Sequence, residues 1–218
     1  MNVHEAVAAL LARVADDVVL PRFRNLAAGE IEQKAPDDFV TIADRESEIA
    51  LAAGLAAIDP TARIVGEEAV AADPAILEGA GSGRLWLIDP IDGTGNFAAG
   101  REPFGMMIAL VADGETLAGW LYDPITRRLC HATLGGGAFI DGRRVTARES
   151  GGTLPVAALA TYFLTPQRRA DIEARAQGRL QVVDIPRCAA EQYPRLVIGI
   201  NDVALFERTL PWDHAPGA

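Results

Sequence analysis

Cysteine is scarce in this chain. Of 218 residues only Cys130 and Cys188 are cysteines, far apart and outside any C-x-x-C pair. That spacing offers no zinc or dithiol motif, and buried reduced thiols in a cytoplasmic protein are the expectation. Positive charge is scarce too: 20 Lys and Arg against 30 Asp and Glu leave a formal net charge of −10. Affinity for nucleic-acid phosphates comes from Lys and Arg, so no nucleic-acid partner is expected. Three histidines, His4, His131 and His214, form no ligand motif, and no Ser-His-Asp or Cys-His set is evident. The longest uncharged stretch, Gly151 to Gln167, is broken by Pro155 and makes a poor membrane span. The N-terminal segment carries Glu5, Asp16 and Asp17 and lacks the basic start and apolar core of a signal peptide.

What is present describes a globular chain: 50% of residues are hydrophobic and 23% charged. The length suits one large domain or two small ones with a sizeable core. Val3, Val7, Leu10, Leu11, Val14 and Val18 recur at helical spacing, and Pro21 closes that helix. A second helix is predicted over 40–58, a strand over 63–66 and a loop over 70–84. Apolar runs at 85–88, 106–111, 117–122 and 128–133, separated by Asp113-Gly114 and Asp123-Pro124, predict an antiparallel meander. A hairpin with Asp141-Gly142 at its tip follows. Beyond a seam near 145–155 the pattern alternates: strand 154–162, helix 166–177, strand 180–183, helix 189–196, strand 203–206. An α+β half followed by an α/β half is the expectation.

Carboxylates carry the chemistry. Asp38 and Asp44 stand in DFVTIAD, Glu67 and Glu68 in IVGEE, Asp89 and Asp92 in LIDPID, and Asp213 in PWDHAPG. Each of the last three groups ends an apolar segment, where a side chain can point into a cleft. Clustered carboxylates repel unless they are protonated or share a cation, and oxygen-only ligation selects hard ions such as Mg²⁺ or Mn²⁺. Gly93-Thr94-Gly95-Asn96 would expose backbone N–H groups to an anion if a helix starts there. Taken alone, Asp92-Gly93 is also an ordinary turn and Asp89 a helix cap.

These segments together resemble the inositol monophosphatase family. Its W-x-x-D-P-x-D-G-T-x-N-F block is present as Trp86 to Phe97, its D-x-V-T-x-x-D as Asp38 to Asp44, its G-E-E as Gly66 to Glu68, and its W-D-x-A-x-G as Trp212 to Gly217. The resemblance implies an α-β-α-β-α layered sandwich of the sugar-phosphatase type, related to the fructose-bisphosphatases. It implies an N-terminal α+β metal-binding domain over 1–148 and a C-terminal α/β domain over 149–218, incomplete at its C-terminus, because relatives continue past the W-D motif. It implies a Mg²⁺-dependent phosphoric monoester hydrolase with two or three ions per site, using a metal-activated water. Glu67, Asp89 and the Ile91 carbonyl would hold one ion, and Asp89, Asp92 and Asp213 another. Thr94 and Glu67 would orient the water, with Asp44 bonded to Thr94, and the N–H groups of Gly93, Thr94 and Gly95 would cradle the phosphate. Arg187, Ala190 and Glu207 would face the rest of the substrate, though the family's R-S-x-G-x-A stretch is here Arg187-Cys188-Ala189-Ala190 and lacks its glycine. A lysine at Lys34 can approach the metal site in relatives; a solvated lysine is the plainer reading.

The substrate so implied is inositol 1-phosphate or a related polyol or sugar phosphate. Fructose-1,6-bisphosphatase, histidinol-phosphatase and 3′-phosphoadenosine nucleotidase activities share the metal motifs, and a non-catalytic metal- or phosphate-binding relative is the alternative of another class. A small phosphorylated partner, no nucleic acid, no membrane, a cytoplasmic location and, by analogy, a homodimer complete the expectations.

Overall fold

The structure is a computed structural model that describes residues 2–35 and 38–218, with nothing said of the Ala28 and Asp38 side chains. Helix α1 (Val3–Val14) opens on a capping box. Asn2 accepts the Glu5 N–H at 2.8 Å and Glu5 accepts the Asn2 N–H at 3.1 Å, satisfying two end donors. Val7, Leu10, Leu11 and Val14 are buried as their spacing predicts. The chain then widens into a π-helical turn, Ala15–Val19. The extra residue rotates the buried face, so Val19 is fully buried where the periodicity pointed to Val18.

A hairpin precedes the second helix: β1 (Ile31–Ala35) pairs antiparallel with β2 (Asp38–Thr41). Helix α2 (Ile42–Ile58) therefore starts two residues later than predicted, capped by Thr41. It buries Leu51 and Leu55 against α1 and the sheet, each worth roughly 1.5–3 kcal/mol. Strand β3 (Arg63–Gly66) runs into α3 (Glu67–Ala72), so the predicted loop over 70–84 begins helical and contains a 3₁₀ turn at Pro74–Leu77. Then come β4 (Arg84–Asp92), the short α4 (Thr94–Ala98), β5 (Gly105–Ala112), β6 (Glu115–Tyr122), β7 (Leu129–Thr133), β8 (Gly137–Ile140) and β9 (Arg143–Val145). Their sheet has the order β3-β4-β5-β6-β7-β8-β9; β3 and β4 are parallel and the rest antiparallel.

Beyond it lie β10 (Val156–Leu159), α5 (Pro166–Ala176), β11 (Gln181–Val183), α6 (Ala189–Val197), β12 (Val203–Leu205) and α7 (Pro211–His214). These strands form a parallel sheet, β11-β10-β12. The change from meander to alternating strand and helix follows the predicted order.

The large sheet is covered on both faces. Trp86, Ile88, Met106, Ile108 and Trp120 pack under α1 and α2. Leu85, Leu87, Ala109 and Val111 point the other way, against Val70 and Trp212 of α7. Met107, Leu121 and Cys130 meet Cys188, Ala189 and Ala190 of α6. Strand parity thus assigns odd positions of β4 to the face shared by α6 and α7. Both cysteines are buried and unbridged. No described helix is long and apolar enough to cross a membrane.

Candidate metal and phosphate site

Asp89 is an odd position of β4 and faces α7 by parity. Asp92 is three residues on, so a regular strand would turn it to the opposite face. The pairing shows why it does not: Asp89 is opposite Met107 but Asp92 is opposite Gly105, three steps against two. One extra residue is accommodated around Pro90, a β-bulge. It drops Ile91 into the helix-side core and brings Asp92 round to the same side as Asp89. There an Asp92 carboxylate oxygen accepts the Ala190 N–H at 2.7 Å.

Two other segments converge on Asp89. Glu67 is the first residue of α3, delivered by β3 beside β4. Asp213 lies in α7, whose position is set by the buried neighbour Trp212. Ligand oxygens of Glu67, Asp89 and Asp213 all fall within 4.8 Å of one another. Asp89 is only 2% exposed and its Oδ1 has no hydrogen-bond partner. Asp92 stands just outside this group.

The electrostatics are those of carboxylates crowded without cations. Burial, then the charges of Glu67, Asp92, Asp213 and Asp44, hold the Asp89 carboxyl well above its ordinary range. Burial pushes Glu67 up to about 8, opposed by Lys34 and reinforced by Glu68, Asp213 and Asp44. Burial raises Asp92 too, against the Cys188 thiol and the N–H groups of Ala190 and Ala189, which favour its charged form. An orphaned, buried carboxylate oxygen beside two further carboxyls that resist ionisation, Glu67 and Asp92, is a donor set that fits hard cations.

The turn after β4 forms the opposite wall. Gly93 is left-handed, with φ of 83°. A Cβ there would lie 3.2 Å from the Pro103 carbonyl oxygen and 3.3 Å from both the Arg187 oxygen and Cys188 Cβ. The first hydrogen bond within α4 is Asn96 N–H to the Gly93 carbonyl, so the N–H groups of Gly93, Thr94 and Gly95 precede it. The Thr94 hydroxyl sits 2.8 Å from the Ile91 carbonyl oxygen and 3.1 Å from Asp44 Oδ1. Asp44 Oδ2 accepts both the N–H and the hydroxyl of Thr41, and burial pushes its carboxyl up to about 6.

Glu67, Asp89, Asp92, Gly93, Thr94 and Asp213 line one cleft of about 370 Å³, whose far side is built by the α/β half; Asp44 lies behind Thr94, outside the lining. Arg187 lays its guanidinium 4.5 Å over the Tyr162 ring, and Arg208 sits 5.3 Å over Phe163. Glu207 lines the cleft, and its carboxylate accepts the N–H groups of Phe163 and Leu164 at 2.6 and 3.1 Å. Ala190 has committed its N–H to Asp92. His214 is engaged at both ring nitrogens, by the Tyr193 hydroxyl and the Arg208 carbonyl. Lys34 pairs with Glu68 at 2.7 Å, near enough to Glu67 to oppose its rise.

Sequence reasoning did not single out Tyr162, Phe163, Thr41 or Glu48. Glu48 is nearly buried one helical turn after Asp44, and its carboxylate accepts the N–H groups of Glu68 and Ala69 at 2.7 and 2.8 Å. An acid on the same helix face as Asp44 was the available signal.

The model of the inositol monophosphatase family matches residues 2–218. The chain is similar to Nus factor SuhB of Escherichia coli K12, 32% identical over 97% of this chain and 79% of that protein. It is similar to the same extent, 32% over 97% of this chain and 79% of the relative, to an Aquifex aeolicus protein named fructose-1,6-bisphosphatase/inositol-1-monophosphatase. A solved IMPase from Thermotoga maritima superposes over all of this chain and 81% of its own, with a TM-score of 0.81 at 27% identity.

Proposed function

The chain belongs to the inositol monophosphatase family, and from that premise we propose that it is a Mg²⁺-dependent hydrolase of small phosphate monoesters. Inositol 1-phosphate or a related polyol or sugar phosphate is the substrate class. The observation that carries this is the convergence of Glu67, Asp89 and Asp213 within 4.8 Å around a buried Asp89 oxygen that has no partner. Such a cluster is costly without a cation and serves one well.

Glu67, Asp89 and the Ile91 carbonyl would hold one ion, and Asp89, Asp92 and Asp213 a second. Cations bound there supply Lewis acidity, which acidifies water and neutralises phosphate charge. The chain's own residues do the positioning. Thr94, tied to Asp44 and to the Ile91 carbonyl, places a hydroxyl where it can hold a water for in-line attack, with Glu67 on its other side. The N–H groups of Gly93, Thr94 and Gly95 point ahead of α4 and suit phosphate oxygens. Arg187 and Glu207 stand on the leaving-group side. The division into a metal-binding half over 1–148 and a second half over 149–218 is part of this proposal, because the leaving group would lie between them.

A second reading is favoured by the arginines. Arg187 makes no ion pair among the described residues, and with Arg208 and Arg101 it lines the cleft of an acidic chain. A second phosphate on the substrate, as in fructose 1,6-bisphosphate, would find bidentate donors there.

Phosphate release with Mg²⁺ from inositol 1-phosphate, fructose 1,6-bisphosphate, histidinol phosphate and 3′-phosphoadenosine 5′-phosphate tests both readings. Turnover of one or more supports the hydrolase. No turnover of any, with Mg²⁺ bound, overturns it in favour of a binding relative.

A further inference from the structure

Helix α3 begins at the residue that the cation cluster needs, yet it has no cap of its own. Its N-cap, Gly66, has no side chain, and the first N–H groups of any helix lack intrahelical partners. The partner comes from another helix. Glu48 of α2 spans the gap, with Oε2 accepting the Glu68 N–H at 2.7 Å and Oε1 the Ala69 N–H at 2.8 Å. The Glu48 side chain also explains Gly66. A Cβ at that position would lie 2.3 Å from the Glu48 Cδ and 2.5 Å from each of its oxygens. The glycine of the G-E-E motif is the space into which this carboxylate fits.

Glu67 is therefore enclosed. The residue before it abuts the Glu48 carboxylate, and the two residues after it donate to that carboxylate. The same helix holds the other side of the site, since Asp44, one turn earlier, bonds the Thr94 hydroxyl. A single rigid element thus sets the relative positions of a cluster carboxylate and the water-holding hydroxyl. We propose that Glu48 is a positioning residue: it caps α3 from α2 and so fixes Glu67 where the cation cluster requires it. This deepens the hydrolase reading and rests on its assignment of Glu67 to a cation.

A bare stability role would predict something different, so the test separates the two. The probe is Mn²⁺, followed by electron paramagnetic resonance titration, with thermal melting in parallel. Glu48→Gln keeps the shape but offers one acceptor where two donors point, and its amide group meets the second N–H head-on. Gly66→Ala displaces the carboxylate without changing it. Both variants are expected to weaken Mn²⁺ binding by at least tenfold. Their Mg²⁺ half-saturation for phosphate release should rise in step, with KM at saturating Mg²⁺ moving less than about threefold. Asn2→Ala, which removes the remote cap of α1, is the control for lost stability and should leave Mn²⁺ affinity unchanged. Should Glu48→Gln bind Mn²⁺ as the wild type does, or should Asn2→Ala weaken it equally, the positioning role is refuted. Failure of the wild-type chain itself to bind Mn²⁺ would instead overturn the cation reading, and this inference with it.

Discussion

Replacing Asp89 with Asn should stabilise the metal-free protein while abolishing its response to metal. The two effects come from one geometry. Ligand oxygens of Glu67, Asp89 and Asp213 lie within 4.8 Å of each other. Two full charges at that separation repel by about 3.5 kcal/mol at an effective dielectric constant of about 20. The protein lowers this cost by holding protons, as the raised Asp89 and Glu67 carboxyls show. Taking up those protons at pH 8 is itself unfavourable, so a substantial part of the cost remains. A gain of roughly 2 kcal/mol is expected for the amide, which carries no charge and can donate to a neighbouring carboxylate; for a chain of this length that is ~4–8 °C in melting temperature.

The pH dependence carries a sign that can be checked. Glu67 holds its proton up to about pH 8 when folded, against an ordinary value of 4.5. Between those values the metal-free folded state binds more protons than the unfolded one, so stability falls as pH rises from about 4.5 through about 8. The advantage of Asp89→Asn in EDTA should therefore be largest at pH 8 and shrink towards pH 5. With Mg²⁺ at ~100 times its Kd the wild type should gain about 2.7 kcal/mol, and the variant little or nothing. Melting curves by circular dichroism in EDTA and in Mg²⁺, at pH 5 and pH 8, read all four quantities. A variant that melts below the wild type in EDTA at pH 8, or that Mg²⁺ stabilises as strongly, would refute the assignment of Asp89 to a cation site.

Thr94→Ala should lower kcat by ~10²-fold or more with little change in melting temperature, because it removes the hydroxyl between Asp44 and Ile91 together with one methyl group, and Thr94→Ser, which keeps the hydroxyl, should recover most of it; steady-state phosphate release measures both. Gly93→Ala forces a side chain into φ of 83° and against three neighbours at 3.2–3.3 Å, so chemical denaturation should show a loss of ~2 kcal/mol or more. Gly95→Ala, whose nearest new contact is Phe39 at 3.8 Å, should be close to neutral in the same assay. Burial and the adjacent His4 push His131 down to about 4 from 6.5, so its contribution is present above pH 6.5 and lost as pH falls through about 4. His131→Phe should accordingly lose less melting temperature between pH 7 and pH 5 than the wild type.

Much of this was legible because local rules decided it. The order of elements follows from periodicity and turn chemistry, and helical spacing identified Val7, Leu10, Leu11 and Val14 as the core face of α1. What escaped was set by tertiary partners. Val19 replaces Val18 inside because a π turn adds a residue that no periodicity encodes. The β1–β2 hairpin delays α2 to Ile42, since a strand whose residues are mostly exposed carries no apolar signature. Glu207, placed on the substrate by resemblance, has a carboxylate that also holds the loop carrying Tyr162 and Phe163, a contact between segments 43 and 44 residues apart.

The carboxylate pair in LIDPID shows where sequence spacing stops and topology begins. Alternation along β4 is a property of the sequence and correctly assigns Leu85 and Leu87 to one face, Trp86 and Ile88 to the other. Carried on, it would separate Asp89 from Asp92 and leave no site. The separation is cancelled by a bulge whose existence depends on how β5 pairs, with Gly105 opposite Asp92. Proline at position 90 has no N–H to contribute to a ladder, which makes this the favourable place for the extra residue. The D-P-x-D spacing is thus readable as a site only together with the neighbouring strand: the same four residues on a regular strand would put one carboxylate among the helices, where Ile91 now sits. If so, Pro90→Ala should be tolerated when the bulge is held by β5. Deleting Ile91 would leave Asp92 two residues after Asp89, on the same face of a regular strand, so Mn²⁺ binding should survive while the emptied helix-side core position lowers stability in chemical denaturation; loss of Mn²⁺ binding in a chain that still folds cooperatively would refute the parity argument.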